Sequence, residues 1–284
     1  MRKNYLVTGA SGFLGSHIAD FLTKKNNNVI LFDKKKSKHK KKNQKMIIGS
    51  VSKLEDLQKA TKSIHTVFHF AASADLNYSN KTPFETIESN ITGTVNLLKS
   101  CLKNRVKKII FASSIYARSE QGGIYSTSKL TSEMIIERIC EKFNLKFVIL
   151  RFGTIYGERA NTFNTVKKFI EEAKKKKKIF RDTKGNEVRS YIHVRDVVKI
   201  TFKSLEKKYE NNYYNVFGNK SFLVKDILNT IKKYIPGLKI KYAKKDKKKY
   251  NYKKNPFTYK LRAGKSIKLS SYISLEEGIK KLIV

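Results

Sequence analysis

The chain opens with a glycine-rich turn between an apolar run and an amphipathic stretch. Tyr5–Val7 form the run, and the following Thr8–Gly15 has glycine at its second, fifth and eighth positions. In a strand-turn-helix, such glycines permit a tight turn, a close approach to a pyrophosphate and close helix packing. The sequence therefore predicts a dinucleotide site at the end of the first strand. The turn residues expected to contact the dinucleotide are Gly9, Ser11, Gly12, Phe13, Leu14 and Gly15.

The first half of the chain alternates short apolar runs with amphipathic stretches of helical length. Six runs have the length and composition of buried strands, namely Tyr5–Val7, Val29–Phe32, Met46–Ile48, Thr66–Phe70, Lys108–Phe111 and Phe147–Leu150. This alternation predicts an α/β fold with a doubly wound, Rossmann-like parallel sheet. Because such sheets bind ligands beyond the carboxyl ends of their strands, the residues after each run are candidate site residues.

The alternation weakens after about residue 155. We therefore expect a dinucleotide-binding domain over 1–155 and a smaller, mainly substrate-binding C-terminal lobe over 156–284. The segment 189–205, which contains the apolar run Tyr191–Val194, is expected to return to the sheet domain. No run of apolar residues is long enough to cross a bilayer, and the N-terminus lacks a signal-peptide pattern. We expect a cytoplasmic protein without membrane insertion.

The formal net charge of +39 is the strongest signal in the composition. Basic proteins bind nucleic acid by releasing counterions from phosphates. However, only ten of the 62 basic residues are arginine, the residue preferred for base contacts and bidentate phosphate contacts. Lysine runs such as 174–178 lie in segments without apolar periodicity. We interpret them as solvated surface and expect no specific nucleic-acid partner, with steering of anionic substrates or incidental polyanion binding as alternatives.

Metal ligation is not indicated. The cysteines, Cys101 and Cys140, form no metal-ligand spacing, and His17, His39 and His65 form no cluster. We therefore expect two buried, reduced thiols and no metal site.

The second apolar run is followed by an acidic residue, Asp33, eighteen residues after Gly15. A carboxylate at this place accepts hydrogen bonds from the ribose hydroxyls of NAD and repels the 2′-phosphate of NADP. The three lysines at 34–36 follow directly and weaken that repulsion. The sequence therefore favours NAD as the cofactor, with NADP as the alternative.

A Tyr-x-x-x-Lys pair, Tyr125 with Lys129, follows the fifth apolar run. Two residues four apart on a helix project from the same face. Such pairs arise by chance in a chain with 15 tyrosines and this many lysines, and a second pair, Tyr250 with Lys254, is present. The pair of Tyr125 and Lys129 differs from a chance pair in its position, because Tyr125 begins the predicted helix that follows a strand ending near Ser114.

Several further segments occur in the order found in one protein family. They are His69–Ala72, Asn90–Leu98, Arg151–Gly157, Arg189–Asp196 and Ser271–Ile283. With the TGxxGxxG spacing of the glycine turn, they make nearly the whole chain resemble the extended short-chain dehydrogenase/reductase family, in particular its NAD-dependent nucleotide-sugar epimerases and dehydratases.

The resemblance implies a catalytic triad of Ser114, Tyr125 and Lys129 that acts on a nucleotide sugar. An ammonium about 4 Å from a phenol is worth roughly 4 kcal/mol at an effective dielectric near 20, or about three pKa units. We therefore expect Lys129, helped by the positive nicotinamide ring, to lower the pKa of Tyr125, so that Tyr125 takes a proton from a sugar hydroxyl. Ser114 is expected to hydrogen-bond the same oxygen.

The resemblance also implies contacts outside the triad. The further residues expected to contact NAD are Phe70, Ala71, Ala72 and Asn90, together with Tyr125 and Lys129. The residues expected to contact the substrate are Thr154 and Arg189, together with Ser114 and Tyr125. Arg189 is the candidate for gripping the diphosphate, with a surface ion pair as the alternative. Members of the family often form homodimers, and we expect one here.

The chain departs from the family pattern at several places. Ser50 follows Gly49 where the family commonly has Asp, and Thr154 replaces the Asn of RxxNxYG. Eleven positions separate Ser114 from Tyr125, fewer than in many members. The connection over the sugar is therefore short, and substrate specificity cannot be carried over.

Two departures help to choose among activities. Residues 115–116, Ile and Tyr, lack the Asp-Glu pair of sugar 4,6-dehydratases, and Asp33 argues against the NADPH-dependent reductases. We expect an NAD-dependent epimerase that acts at C4 of a nucleotide sugar. A dehydrogenase, reductase or dehydratase on the same scaffold and a non-catalytic dinucleotide-binding protein are the alternatives.

Overall fold

The protein is described here by a computed structural model that covers residues 2–119, 122–243 and 265–283. The strands in chain order are β1 (Asn4–Thr8), β2 (Asn28–Asp33), β3 (Lys45–Ile48), β4 (Thr66–His69), β5 (Lys108–Ser114), β6 (Lys146–Phe152), β7 (Thr154–Tyr156), β8 (Lys178–Arg181), β9 (Val188–Arg189), β10 (Tyr191–His193), β11 (Asn212–Val216), β12 (Phe222–Leu223), β13 (Lys239–Tyr242) and β14 (Lys265–Ser266). The helices are α1 (Phe13–Lys24), α2 (Leu54–Ala60), α3 (Leu76–Lys81), α4 (Pro83–Ile87), α5 (Gly93–Lys103), α6 (Gly123–Phe143), α7 (Thr165–Lys176), α8 (Val194–Lys203), α9 (Val224–Tyr234) and α10 (Leu275–Ile283).

An eight-stranded sheet in the order β14-β11-β6-β5-β4-β1-β2-β3 forms the centre of the molecule, and its pairings are parallel. The chain builds outward from β1 in both directions, so the strand order reverses between β1 and β4. A crevice for ligands forms at such a switch point, beyond the carboxyl ends of the strands. The predicted parallel sheet is confirmed.

All six predicted strands lie in this sheet, and two further strands extend it beside β6. The sequence of β11, Asn-Tyr-Tyr-Asn-Val, has little apolar character, although four of its five residues are buried. The last of the sheet strands, β14, has only two residues. Neither segment shows the apolar run that identified the other strands.

Helices cover both faces of the sheet. On one face, Ile18 of α1 and Ile200 of α8 pack in a common core with the strands. On the other face, Leu57, Leu97 and Ile136 bring α2, α5 and α6 onto the sheet. Strands covered on both faces read as nearly continuous apolar runs, which explains why the sequence identified them.

A third core lies in the C-terminal part of the chain, where α7 and α9 pack through Phe169 and Ile227. In the segment 189–205, β10 pairs with β7 rather than with the large sheet. The helix that follows, α8, packs on α1. The division of the chain at residue 155 stays a prediction. Among the described helices, none is both long and apolar enough to cross a bilayer.

Candidate functional site

A cleft of about 720 Å³ opens at the switch point between β1 and β4. Twelve of the residues predicted from the sequence line it, namely Gly9, Gly12, Phe13, Leu14, Gly15, Asp33, Phe70, Ala71, Ala72, Ser114, Tyr125 and Lys129. Four others, Ser11, Asn90, Thr154 and Arg189, lie outside the lining. The structure therefore brings the glycine turn, the acidic residue and the Tyr-Lys pair to one cleft.

The glycine turn packs directly against the chain that follows β4. Gly9 adopts φ +69°, and a Cβ there would lie 2.7 Å from the backbone N of Ala71. Helix α1 begins after Gly12 without a side-chain cap, and Phe13 and Leu14 of its first turn line the cleft. Amide groups in a first turn have no partner within the helix and bind phosphate. The turn therefore fits the pyrophosphate of a dinucleotide.

The carboxylate of Asp33 is oriented by backbone amides at the same end of the cleft. Its Oδ2 accepts from the N–H of Ser11 at 2.9 Å, and its Oδ1 accepts from the N–H of Lys35 at 3.2 Å. The Ser11 hydroxyl donates to the Lys35 carbonyl at 2.6 Å, which fixes the two loops together. Each carboxylate oxygen can accept a further hydrogen bond. Asp33 therefore fits the ribose hydroxyls of NAD.

Tyr125 lies at the start of α6 and lines the cleft together with Ser114. Ser114 ends β5, and its Oγ accepts from the N–H of Tyr116 at 3.2 Å. Desolvation raises the pKa of Tyr125 to about 12, and hydrogen bonding with Ser114 opposes that rise. The two hydroxyls are thus placed as a pair that can act on one substrate oxygen.

Lys129 lies one helical turn beyond Tyr125 and is 3% exposed. Its Nζ donates to the carbonyl of Ala112 at 2.7 Å and lies 6.0 Å from the ring centroid of Tyr125. Desolvation lowers the pKa of Lys129 to about 7, whereas Glu133 raises it. Burial therefore outweighs the effect expected of Lys129 on Tyr125, because it raises the pKa of the tyrosine and lowers that of the lysine.

A buried ion pair lies next to these residues. Arg151 of β6 donates through Nε and Nη2 to the two carboxylate oxygens of Glu133 in α6, at 2.9 and 2.7 Å. The hydroxyl of Ser113, the neighbour of Ser114, donates to the same carboxylate at 2.5 Å. The pair therefore joins α6, β5 and β6 beneath the cleft.

Asn90 lies in a π-helical turn, Glu88–Thr92, between α4 and α5. Its side chain exchanges hydrogen bonds with the backbone N–H and C=O of Ser73, at 2.7 and 3.1 Å, and donates to Ser128 at 2.9 Å. Ser73 lines the cleft, whereas Asn90 does not. The structure thus places Asn90 where it holds the loop after β4 against α6.

The two predicted substrate residues lie away from the cleft lining. Thr154 begins β7, and its neighbours Gly153 and Ile155 line the cleft instead. Arg189 lies on β9, where its Nη1 donates to the carbonyl of Val188 at 2.8 Å. The second Tyr-Lys pair, 250 with 254, lies outside the described residues.

Several residues that line the cleft carry no motif in the sequence and were not predicted. They are Ser73, Tyr78, Glu85, Ser89, Asn161, Phe163 and Asn164. These residues follow β4 and β7 in loops and short helices that lack a regular apolar pattern. Their position after the carboxyl ends of strands was the available signal.

Comparison with known proteins gives concordant results. The profile of the NAD dependent epimerase/dehydratase family matches residues 5–216. A putative UDP-glucose 4-epimerase of Methanocaldococcus jannaschii is 28% identical, over 98% of this chain and 96% of that protein. A UDP-glucuronate 4-epimerase of Thermodesulfobacterium geofontis is 27% identical, over 98% and 94%. The structure of the UDP-glucose 4-epimerase of Thermotoga maritima with UDP-glucose superimposes with a TM-score of 0.82 at 26% identity, covering 98% of this chain and 96% of that chain.

The family match spans the glycine turn, Asp33, the Tyr125–Lys129 pair and β11. NAD is the cofactor of this family, and the glycine turn and Asp33 provide groups that fit it. The chain is therefore an enzyme that belongs to the NAD dependent epimerase/dehydratase family.

Proposed function

We propose that the protein is an NAD-dependent epimerase that inverts C4 of a nucleotide-activated sugar. The observation that carries this proposal is that Tyr125, Ser114 and Lys129 line the same cleft as the glycine turn and Asp33. The names of the relatives support a 4-epimerase. We also propose that the protein is cytoplasmic, as expected from the sequence.

In the proposed chemistry, Tyr125 transfers the proton and Ser114 hydrogen-bonds the reacting oxygen of the sugar. NAD, held by the glycine turn and Asp33, would supply the hydride acceptor for oxidation of the sugar carbon and the hydride donor for its reduction from the other face of the sugar. Tyr125, as the phenolate, accepts the proton of the sugar hydroxyl and gives it back after inversion. Ser114 donates a hydrogen bond to the same oxygen as it gains carbonyl character.

The phenolate of Tyr125 needs a source of stabilisation, because desolvation raises its pKa to about 12. Ser114 supplies part of it by hydrogen bonding. Lys129 supplies the rest when protonated, since its ammonium lies one helical turn from Tyr125. The pKa of Lys129 is about 7, so its amine gains or loses that charge near neutral pH.

A dehydratase requires a further acid and base beside the catalytic hydroxyls. The turn that follows Ser114, Ile115–Arg118, contains no carboxylate. The nearby carboxylate of Glu133 is engaged by Arg151 and Ser113 and is fully buried. These contacts favour epimerisation over dehydration.

We also propose that the protein forms a homodimer through α4 and α6. Phe84 and Ile87 of α4 are 83% and 37% exposed, and Met134 of α6 is 55% exposed. The two helices lie in contact. A dimer of about twice the mass of the chain is expected in sedimentation, and Phe84→Asp should shift it to the monomer. A monomeric wild type contradicts the dimer.

The activity is tested by incubating the protein and NAD with a panel of UDP-, GDP- and dTDP-sugars and identifying products by NMR. The proposal predicts a C4 epimer at equilibrium with no net reduction of NAD. A dehydrated sugar, or stoichiometric formation of NADH, would contradict it.

A further inference from the structure

Helix α3 lies against the first turn of the catalytic helix α6. The side-chain Oδ1 of Asn80, in α3, accepts a hydrogen bond from the N–H of Ile124 at 3.3 Å. Gly123 permits this approach, since it adopts φ +55° and a Cβ there would lie 2.2 Å from the same oxygen. Tyr125 is the next residue after Ile124. The position of α3 is therefore fixed relative to Tyr125.

Two side chains of α3 and α4 form a pair at the mouth of the cleft. Tyr78 donates from its hydroxyl to Oε2 of Glu85 at 2.6 Å, and both residues line the cleft with Tyr125. The carboxylate of Asp75 caps α3 by accepting from the N–H groups of Asn77 and Tyr78. The backbone of Tyr78 is thus held by the cap, and its hydroxyl holds the carboxylate of Glu85.

The positive charges of the described cleft residues lie elsewhere. Lys34 and Lys35 follow Asp33, at the end of the cleft where the ribose of NAD fits. Lys129 directs its amine to the carbonyl of Ala112. Among the described residues of the lining, Glu85 therefore has no lysine or arginine partner to offset its charge, and its hydrogen-bond donor is the neutral hydroxyl of Tyr78.

We propose that Glu85, held by Tyr78, is a specificity residue that disfavours sugars bearing a carboxylate, so that the substrate is a nucleotide-activated neutral hexose or hexosamine. This inference rests on the proposed function, which places the reacting sugar hydroxyl at Tyr125. Two carboxylates brought close together repel each other. Overall identity does not decide the substrate class, because the relatives include both a glucose and a glucuronate 4-epimerase at nearly equal identity.

The size of the effect is limited by exposure. Glu85 is exposed at the cleft mouth, where water and salt screen its charge. We therefore expect discrimination of about tenfold rather than complete exclusion. Because the discrimination is electrostatic, it should decrease as ionic strength rises.

The experiment compares kcat/KM for UDP-glucose and UDP-glucuronate in the wild type, in Glu85→Gln and in Glu88→Gln. Glu88 is an exposed carboxylate on the same helical stretch but outside the cleft lining, so its variant is the matched control. We expect the wild type to favour UDP-glucose by about tenfold at low salt. Glu85→Gln should reduce that ratio at least about threefold, whereas Glu88→Gln should leave the ratio unchanged.

The outcomes separate the two proposals. A wild type that favours UDP-glucuronate, or a ratio that Glu85→Gln leaves unchanged, overturns the specificity inference while the epimerase proposal stands. Failure to convert any sugar of the UDP-, GDP- and dTDP-sugar panel contradicts the proposed function, and the specificity inference falls with it.

Discussion

Arg151 holds both carboxylate oxygens of Glu133 in the interior, with Nε and Nη2 at 2.9 and 2.7 Å. The two side chains are 2% and 0% exposed. Taking an ion pair out of water is costly, and the cost is offset only while both partners and their hydrogen bonds are present. The arrangement therefore makes the two residues interdependent.

Arg151→Met should strongly destabilise the fold, because it removes the cation that holds both oxygens of the buried Glu133 carboxylate and leaves Arg118, with its Nε 3.8 Å from Oε2, in its place. The free energy of unfolding in urea should fall by about 3–5 kcal/mol. Arg138→Met is the control, since Arg138 pairs with Glu141 at 3.3 Å on the exposed surface of the same helix as Glu133. That change should cost at most about 1 kcal/mol. Equal losses in the two variants would contradict a special role for the buried pair.

The buried amine of Lys129 should make stability depend on pH. Its pKa is about 7 in the folded chain, below the ordinary value, because burial disfavours the ammonium. Between pH 7 and about 10.5 the unfolded state binds the additional proton, so stability from this group rises with pH. Below pH 7 the amine is protonated in both the folded and the unfolded chain, so the full free-energy cost of burying the ammonium lowers the stability of the fold.

Lys129→Met removes this titration and should be stabilising at low pH. Its gain in unfolding free energy over the wild type should be about 3 kcal/mol larger at pH 6 than at pH 9.5. Lys142→Met, an exposed position on the same helix, serves as the control and should show no such trend. Parallel pH profiles for wild type and Lys129→Met would show that the amine is not desolvated.

Asp33 should set the cofactor preference. Asp33→Asn removes the charge that repels a 2′-phosphate, while the amides of Ser11 and Lys35 keep an acceptor side chain in place. We expect the ratio of Kd values for NADP and NAD, measured by calorimetry, to change in favour of NADP by about tenfold. Ser11→Ala keeps the carboxylate and should leave the ratio within about twofold. An unchanged ratio in Asp33→Asn would remove this residue from the ribose site.

The loop after β7 should depend on an ion pair outside the cleft. Arg159 adopts φ +61°, and its Nη2 donates to Oδ2 of Asp20 in α1 at 2.9 Å. The loop continues to Asn161 and Asn164, which line the cleft. Asp20→Asn should loosen this anchor and raise KM for the nucleotide sugar about threefold, with little change in NAD affinity. A selective loss of NAD affinity would contradict this role.

The sheet was predictable because most of its strands are covered on both faces. Burial of both faces requires continuous apolar runs, and these are visible in the sequence from Tyr5–Val7 to Phe147–Leu150. The strand β11 was not predicted because tyrosines and asparagines supply most of its buried side chains. The separate pairing of β10 with β7 depends on two segments 35 or more residues apart, which local pattern does not specify.

The site residues that belong to a sequence motif were predictable, whereas those whose position or pKa depends on tertiary packing were not. The glycine turn, Asp33 and the Tyr125–Lys129 pair were found from spacing. Desolvation of Tyr125 and Lys129, which reverses the expected pKa of the tyrosine, depends on surrounding packing. No motif in the sequence indicated that Glu85 lines the cleft, because its position depends on how α3 and α4 lie against α6.

The central claim is that Tyr125 moves the proton in the reaction. It is tested most directly by comparing Tyr125→Phe with the wild type. Two quantities are measured for each protein, namely the turnover of the nucleotide sugar found in the NMR experiment and the Kd for NAD. Tyr214→Phe, at a buried tyrosine of β11 outside the cleft, is the control. We predict that Tyr125→Phe lowers kcat by about 10²–10⁴-fold while the Kd for NAD stays within about threefold. Retention of wild-type turnover by Tyr125→Phe would contradict the account.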